Sequence, residues 1–186
     1  EFFDAQMERF VRANQARLQM LTEEAFRFVR ETASKFSEEQ IVLSFSGGKD
    51  STVAADLAVR ALANPSLVHI FGDTTLEFPM TQDYVRRFRK AHPQAIFKIA
   101  KNREQDFYNV CSDIGPPARM MRWCCTMFKT GPITRALTSL FKGSRVLTFY
   151  GIRKFESVSR SKYHRVEDDA SSVKIQRQTV ASPVFL

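Results

Sequence analysis

The chain has 186 residues, of which 44% are hydrophobic, and a formal net charge of +8. This length suits one well-packed domain and is too short for two comfortable ones. Three cysteines, two of them adjacent, indicate a reducing compartment rather than a disulfide framework. The sequence shows no apolar stretch long enough to predict a leader or a membrane span. We therefore expect a cytoplasmic protein that has no membrane partner.

Apolar residues recur at helical spacing along the first part of the chain, from Phe3 to Val29, with arginine and glutamate between them. The pattern predicts one or two amphipathic helices over residues 3–35. We divide the chain into an N-terminal helical segment, residues 1–40, and an α/β domain, residues 41–186. Because the apolar stripe carries no chemistry, its expected role is packing or self-association into a homo-oligomer.

Strand and helix patterns alternate from residue 41 onward. The predicted strands cover residues 41–45, 67–73, 95–100 and 145–151, and the predicted helices begin at Ser51, after Pro79, near residue 103 (to about 110) and at Pro132. This alternation predicts a parallel twisted sheet with helices on both faces, in which ligands bind beyond the carboxyl ends of the strands. The final residues, ASPVFL, are interpreted as the start of another strand, so we expect the domain to be truncated at its C-terminus.

The turn between the first strand and its helix is rich in glycine and hydroxyl groups. Gly47 and Gly48 permit positive φ and close backbone approach, and the following helix offers unpaired N–H groups and a positive dipole end. Lys49 adds a cation, while Asp50 either caps the helix or helps to hold a metal ion. Neither GxxxxGK[ST] nor GxGxxG is present. The candidate binding residues of this turn are Ser44, Ser46, Gly47, Gly48, Lys49, Asp50, Ser51 and Thr52.

The stretch SFSGGKDST resembles the SGGxDS loop of the PP-loop ATP pyrophosphatase superfamily, which grips the β and γ phosphates of ATP. The resemblance implies an adenine nucleotide alpha hydrolase-like, Rossmann-like fold that uses ATP and Mg²⁺. It also implies catalytic roles for Lys49, Asp50 and, further along the chain, Arg153.

The segment FGDTTLEFPMT, residues 71–81, resembles a segment that borders the adenosine site in the phosphoadenylyl-sulfate (PAPS) reductase family of that superfamily. The resemblance carries a binding role to Asp73, Thr74 and Glu77, with Thr75 in place of the usual glycine. The alternative is a plain turn at a strand end.

The segment GIRKFESVSR, residues 151–160, is similar to another segment of the same family, in which a glycine ends a strand and arginines reach the nucleotide or its anionic product. The matching residues are Gly151, Arg153, Ser157 and Arg160. Guanidinium groups suit this role because they bind phosphate and sulfate bidentately. A solvated loop is the alternative.

The segment RWCCTMFKTGPITRAL, residues 122–137, resembles stretches of adenylyl-sulfate reductases and DNA phosphorothioation enzymes in which cysteine binds a four-iron four-sulfur cluster. Cys124 and Cys125 are therefore candidate cluster ligands. Thiolates ligate such clusters in fours, and Cys111 is the only other cysteine. Either sequence beyond Leu186 supplies the missing ligands, or the pair are buried small hydrophobes.

Charge is distributed unevenly, because no acidic residue lies between Asp113 and Glu156. We call residues 114–155 the acid-free segment. A basic stretch of this kind suits polyanions such as nucleotides or a nucleic-acid backbone, and the alternative is a generally basic surface. Its eight cations are Arg119, Arg122, Lys129, Arg135, Lys142, Arg145, Arg153 and Lys154.

In the family that the chain resembles, members that reduce an already activated sulfonucleotide generally carry a degraded version of the glycine turn. The resemblance, with the turn intact here, therefore implies ATP as the ligand. We therefore expect an ATP pyrophosphatase of the PAPS reductase-like family that adenylylates an acceptor for sulfur incorporation. DNA phosphorothioation is the leading case, with DNA and a cysteine desulfurase or other sulfur donor as partners. The alternatives are an assimilatory APS or PAPS reductase, the small subunit of ATP sulfurylase, and a non-catalytic nucleotide-binding subunit.

Overall fold

The computed structural model describes residues 2–158, 160–168 and 178–185, and within these residues six strands form one sheet. The strands are β1 (Ile41–Ser44), β2 (Val68–Asp73), β3 (Ile96–Lys101), β4 (Val146–Phe149), β5 (Val166–Glu167) and β6 (Gln178–Ala181). Their order is β3-β2-β1-β4-β6-β5, and every pairing is parallel except that of β5 with β6. The carboxyl ends of β1, β2 and β4 therefore meet at one edge, where the predicted binding segments follow them.

Two α-helices precede β1, and the others lie between the strands. The α-helices are α1 (Phe2–Ala13), α2 (Gln15–Ala33), α3 (Lys49–Leu62), α4 (Pro79–Ala91), α5 (Phe107–Ile114) and α6 (Gly131–Phe141). A π-helix, Cys125–Thr130, runs directly into α6, and short 3₁₀ helices cover Glu38–Gln40, Lys154–Glu156 and Arg160–Lys162.

Two apolar clusters cover the two faces of the sheet. Successive residues of a strand point to opposite faces, so Leu43 and Leu147 join the cluster beneath α2, α3 and α4, whereas Val42 and Val146 join the cluster beneath α6. The expected fold is confirmed: a mostly parallel sheet with helices on both faces.

The N-terminal helices differ in how they pack. Helix α2 lies against α3 and buries Ala25, Val29 and Ala33, and Arg30 Nε donates to the Ala61 carbonyl oxygen at 2.8 Å. Helix α1 buries no residue and leaves Phe3 and Phe10 exposed. Among the described helices, none is both long and apolar enough to cross a membrane.

Two predicted elements lie elsewhere in the structure. The short helix expected near residues 103–110 begins at Phe107, because the Asp106 carboxylate accepts a hydrogen bond from Asn109 N–H at 2.9 Å and caps it there. The strand expected to start in ASPVFL instead ends there, since β6 stops at Ala181. Pro183 has no N–H to donate to a sheet, and Leu186 lies outside the described residues.

Candidate functional site

The glycine turn joins β1 to the first turn of α3. Gly47 has φ +75°, and a Cβ at this position would lie 3.0 Å from Val85 Cγ2. Gly48 is extended and immediately precedes Lys49, the first residue of the helix. Both the left-handed conformation and the lack of space therefore favour glycine at position 47.

The hydroxyl groups of the turn are engaged in hydrogen bonds within it. Ser51 Oγ donates to the Gly48 carbonyl oxygen at 2.9 Å and accepts from Ser46 N–H at 3.2 Å. Thr52 Oγ1 donates to the same carbonyl at 3.0 Å and accepts from Tyr84 O–H at 3.1 Å. Ser46 Oγ lies 3.0 Å from Ser51 Oγ. These hydroxyls stabilise the shape of the turn.

The groups left for an anion are backbone amides and one ammonium. The N–H groups of Lys49 and Asp50 begin α3, so they have no acceptor within the helix, and they lie at its positive dipole end. The N–H of the buried Ser51 lies against Gly151, where an added Cβ would be 2.5 Å from its nitrogen. Lys49 is exposed and forms no ion pair with another described residue.

The loop after β4 packs onto the first turn of α3. A Cβ at Gly151 would lie 2.4 Å from the Asp50 carbonyl carbon, so only glycine allows this approach. Arg153 Nε donates to the Asp50 carboxylate at 3.1 Å. The buried Ser182 holds the loop, since its Oγ accepts from Ile152 N–H at 3.2 Å. The structure thus brings Gly151 and Arg153 to the glycine turn.

The turn after β2 is closed by its own side chains. The Glu77 carboxylate accepts from Thr74 N–H and from Thr74 Oγ1 at 2.8 Å, and the Asp73 carboxylate accepts from Thr75 N–H at 2.9 Å. Lys101 Nζ, at the end of β3, lies 3.1 Å from Asp73. Burial by itself would raise the pKa of Asp73, but the Thr75 N–H and the Lys101 ammonium lower it below its ordinary value.

Three predicted binding residues contact neighbours outside the glycine turn's amide cradle. Arg160 pairs with Glu156, and its N–H donates to Ser157 Oγ at 3.2 Å, all within one short segment. Ser44 is half-buried at the end of β1, beside Tyr150, whose pKa is raised by burial. These side chains organise the loops around the turn.

The cysteine pair begins the π-helix that precedes α6. Partial burial and the neighbouring Cys125 thiol raise the pKa of Cys124, and Arg122 Nη2 lies 3.5 Å from Cys125 Sγ. The described residues contain no group of three or more histidine, cysteine, aspartate or glutamate side chains arranged to hold a metal. The described residues thus supply two adjacent thiols of the four that such a cluster takes.

The acid-free segment lies largely at the surface. Arg145 is half-buried and pairs with Asp168 at 3.2 Å, whereas the other seven cations are exposed. Large apolar side chains are exposed among them, including Met120 and Phe155.

Four residues that shape the site were not predicted from the sequence: Lys101, Tyr84, Ser182 and Thr75. Lys101 and Tyr84 reach partners on other elements, so no spacing in the sequence points to them. Ser182 lies in the final segment, which was assigned to a strand. Thr75 was noted only as a departure from glycine, yet its φ is +69° and its Oγ1 accepts from Phe107 N–H at 3.0 Å.

A central parallel strand that runs into a glycine turn and a helix N-terminus defines a Rossmann-like α/β fold of the adenine nucleotide alpha hydrolase-like class. Residues 40–178 match the sequence model described as the phosphoadenosine phosphosulfate reductase domain. The chain belongs to that family.

Similar proteins agree with this assignment. A Methanocaldococcus jannaschii protein of uncharacterised function is 33% identical over 94% of the chain, and the chain spans about a third of the length of the curated relatives it matches. Among solved structures, PAPS reductase from Candida auris, in a phosphate complex, has a TM-score of 0.61 and 21% identity, with 87% of this chain and 72% of that one covered. FMN adenylyltransferase from Candida glabrata, in complex with ATP, has a TM-score of 0.63 and 14% identity, with 91% and 51% covered. At these identities the solved structures support the fold alone.

Proposed function

We propose that this chain binds ATP and cleaves its α,β anhydride, so that an acceptor oxygen is adenylylated and pyrophosphate leaves. One observation carries the proposal: the N-terminus of α3 lies open behind Gly47 and Gly48, with the exposed Lys49 beside it. The turn's hydroxyls are already engaged with one another, so its shape does not depend on a ligand. A rigid set of donors of this kind is suited to a polyphosphate.

The residues act on the leaving group rather than as a covalent nucleophile. The amides of Lys49 and Asp50 and the Lys49 ammonium bind the β and γ phosphates and stabilise the charge that develops on pyrophosphate. The attacking oxygen of the acceptor forms a bond to the α phosphorus while the bond from that phosphorus to the bridging oxygen breaks. Both electrons of the broken bond leave with pyrophosphate.

Asp50 is the residue that would hold Mg²⁺, which commonly binds through one or two carboxylates together with substrate phosphates. Its carboxylate fits this role because it lies in the first turn of α3, beside the amide donors. The metal supplies neutralisation of the leaving group. Arg153, which now pairs with Asp50, is held at the mouth of the turn, where its guanidinium can bind the α phosphate.

The remaining predicted residues surround this centre. We infer that the turn of Asp73, Thr74 and Glu77 borders the adenosine, and that its own hydrogen bonds keep it in shape. Gly151 admits the loop of Arg153, while Ser157 and Arg160 support that loop from the far side. Lys101 keeps Asp73 ionised and fixed beside the strand end.

The acceptor we favour is an oxygen destined for replacement by sulfur, with DNA phosphorothioation as the leading case. The exposed cations of the acid-free segment support a nucleic-acid backbone as partner, in which case binding falls steeply with salt. A cysteine desulfurase or another donor would supply the sulfur. The exposed apolar face of α1 supports self-association or docking of a partner.

The family match favours a second candidate, an APS or PAPS reductase, since the matched domain carries that name. The small subunit of ATP sulfurylase belongs to the same sulfur chemistry and shares the expected use of an intact ATP turn. A non-catalytic nucleotide-binding subunit would retain the same cradle without turnover.

Radiolabelled ATP distinguishes these candidates. With Mg²⁺, the wild-type protein is expected to release pyrophosphate, and Lys49→Ala is expected to abolish release while leaving the fold intact. Lys90→Ala is the matched control, because it removes the same charge from the last turn of α4, at the opposite edge of the sheet. Unchanged release by Lys49→Ala would reject the proposal. Sulfite formed from PAPS with a dithiol reductant would identify a reductase, and ATP binding without product would identify a regulatory subunit.

A further inference from the structure

A cavity of about 290 Å³ lies between α3 and α4, at the edge of the sheet opposite the glycine turn. Val59 of α3 and Phe88 of α4 line its walls, and Pro65 and Pro93 lie in the loops that lead into β2 and β3. These loops precede their strands, so the cavity is at the amino edge. It is separate from every residue assigned to the nucleotide.

His69 is the buried polar residue of the lining, whose other polar residues, Asp56, His92 and Gln94, are exposed. Its side chain is 2% exposed and lines the cavity, and its Nδ1 lies 2.9 Å from the Leu67 carbonyl oxygen. A carbonyl oxygen only accepts, so a neutral His69 carries its proton on Nδ1 and Nε2 is an acceptor. Burial lowers the pKa of His69, which keeps the ring neutral. In the described part of the chain, no group donates to Nε2.

A ligand that reaches Nε2 would therefore have to present a donor to it. The walls around it are aromatic: Phe88 stacks on His92 at 4.1 Å between ring centroids, and its ring lies 5.8 Å from His69. The volume is at the lower end of the range for ligand sites, about 300 Å³, and fits one or two rings. Apolar walls with a few polar groups, here the buried imidazole of His69 and the exposed Asp56, His92 and Gln94, are the usual composition of a small-molecule site.

We propose that this cavity binds a small planar aromatic molecule carrying one O–H or N–H donor. The ring lies against Phe88 and Val59, and the donor bonds to His69 Nε2. The site does not depend on the proposed use of ATP, because its residues and those of the glycine turn lie at opposite edges of the sheet. An experiment that refutes binding in this cavity therefore leaves the proposal of ATP binding at the glycine turn standing, and the converse also holds.

Phenol and toluene test this site as a matched pair of probes, since they have similar shape and only phenol has a donor. Binding is followed by NMR titration of the wild-type protein, including the imidazole ¹⁵N signals. Phenol is expected to bind about fivefold more tightly than toluene, the effect of one neutral hydrogen bond, and to shift the His69 Nε2 signal. Equal affinity for the two probes, or no binding of phenol, would overturn the proposal.

Two variants sharpen the test. Val59→Phe fills the cavity and is expected to weaken phenol binding at least about tenfold, whereas Val53→Phe is the control, because Val53 is exposed on another side of α3. His69→Phe is expected to remove the preference for phenol and retain toluene binding. Circular dichroism establishes that each variant folds, and if Val59→Phe does not, the wild-type preference and the His69→Phe result decide. Phenol binding unchanged in a folded Val59→Phe variant would contradict the site.

Discussion

The turns that follow β1 and β2 lie side by side, because these strands pair in parallel, and each contains a residue with a left-handed backbone. In the first turn this residue is Gly47, at φ +75°, where a side chain would meet Val85 and Thr81. In the second it is Thr75, at φ +69°, a β-branched residue in a conformation that such residues rarely adopt. The left-handed backbone is thus adopted by glycine in the first turn, where it costs little, and by threonine in the second turn, where it is unfavourable.

The difference lies in what the side chain does. Thr75 Oγ1 accepts the Phe107 N–H at the start of α5, and the Asp73 carboxylate accepts Thr75 N–H, so hydrogen bonds offset the strained backbone. At Gly47 no side chain can contribute, and neighbouring hydroxyls hold the turn. A left-handed turn at this edge is therefore stabilised either by space for the backbone or by a side chain that bonds across elements.

The largest loss of stability is expected at Gly151, where the loop after β4 contacts the backbone of the first turn of α3. In Gly151→Ala the added methyl would lie 2.4 Å from the Asp50 carbonyl carbon, so the loop or the first turn of α3 must shift. We expect a loss of about 2–3 kcal/mol in the free energy of unfolding, measured by denaturant titration, together with weaker ATP binding. The control is Gly48→Ala in the neighbouring turn, where φ is negative and the nearest atom is Ser46 Oγ at 3.4 Å, so the cost should be below about 0.5 kcal/mol. Equal losses in the two variants would contradict the packing argument.

Alanine substitutions at the two adjacent glycines of the first turn compare a position with a left-handed backbone and a close contact to one that has neither. Gly47→Ala combines the left-handed backbone with a 3.0 Å contact to Val85 Cγ2, and is expected to cost about 1–2 kcal/mol. Gly48→Ala has an ordinary 3.4 Å contact to Ser46 Oγ and a negative φ, so its cost should be below about 0.5 kcal/mol. Thermal or denaturant unfolding compares them, and a Gly48→Ala loss as large as that of Gly47→Ala would refute this account.

At Thr75, in the second turn, we expect the larger truncation to destabilise the fold less than the smaller one. Thr75→Val keeps the β-branched shape and its strain but leaves Phe107 N–H without its acceptor, for a loss of about 1–2 kcal/mol. Thr75→Gly loses the same bond but relieves the backbone by about 1 kcal/mol, so it should be the less damaging change although it removes more atoms. Thr75→Ser, which retains the hydroxyl, is the control. If glycine destabilises at least as much as valine, the hydrogen bond is not what offsets the strain.

The smallest expected effect concerns acid. A carboxyl whose pKa is lower in the folded than in the unfolded chain stabilises the fold at any pH above its ordinary pKa, which is 3.8 for Asp73. This contribution is lost as the pH falls through the pKa of the folded state. The wild-type protein should therefore lose more stability than Asp73→Asn between about pH 5 and pH 3. Denaturant midpoints across that range measure the difference in stability. If the two proteins lose stability in parallel as the pH falls, the ionised Asp73 does not stabilise the fold.

Secondary structure followed closely from the sequence because its signals are local. The β-branched run at Ile41 and the amphipathic pattern after Ser51 are confirmed as β1 and α3, and the glycine turn lies between them as expected. The errors are also local in origin. The helix at Phe107 depended on the Asp106 cap, and ASPVFL was assigned by composition although pairing with β4 had already ended at Ala181.

The sequence by itself determined the alternation of strands and helices, the place of the glycine turn and the family resemblance, since each is written in neighbouring residues. Only the tertiary structure decided which of the turn's groups remain open to a ligand, and that Arg153 bonds to Asp50 across 103 positions of the chain. It also decided that Lys101 fixes Asp73 and that His69 faces a cavity. Contacts of this kind depend on how distant strands pair and how helices cross them, and no local pattern specifies that geometry.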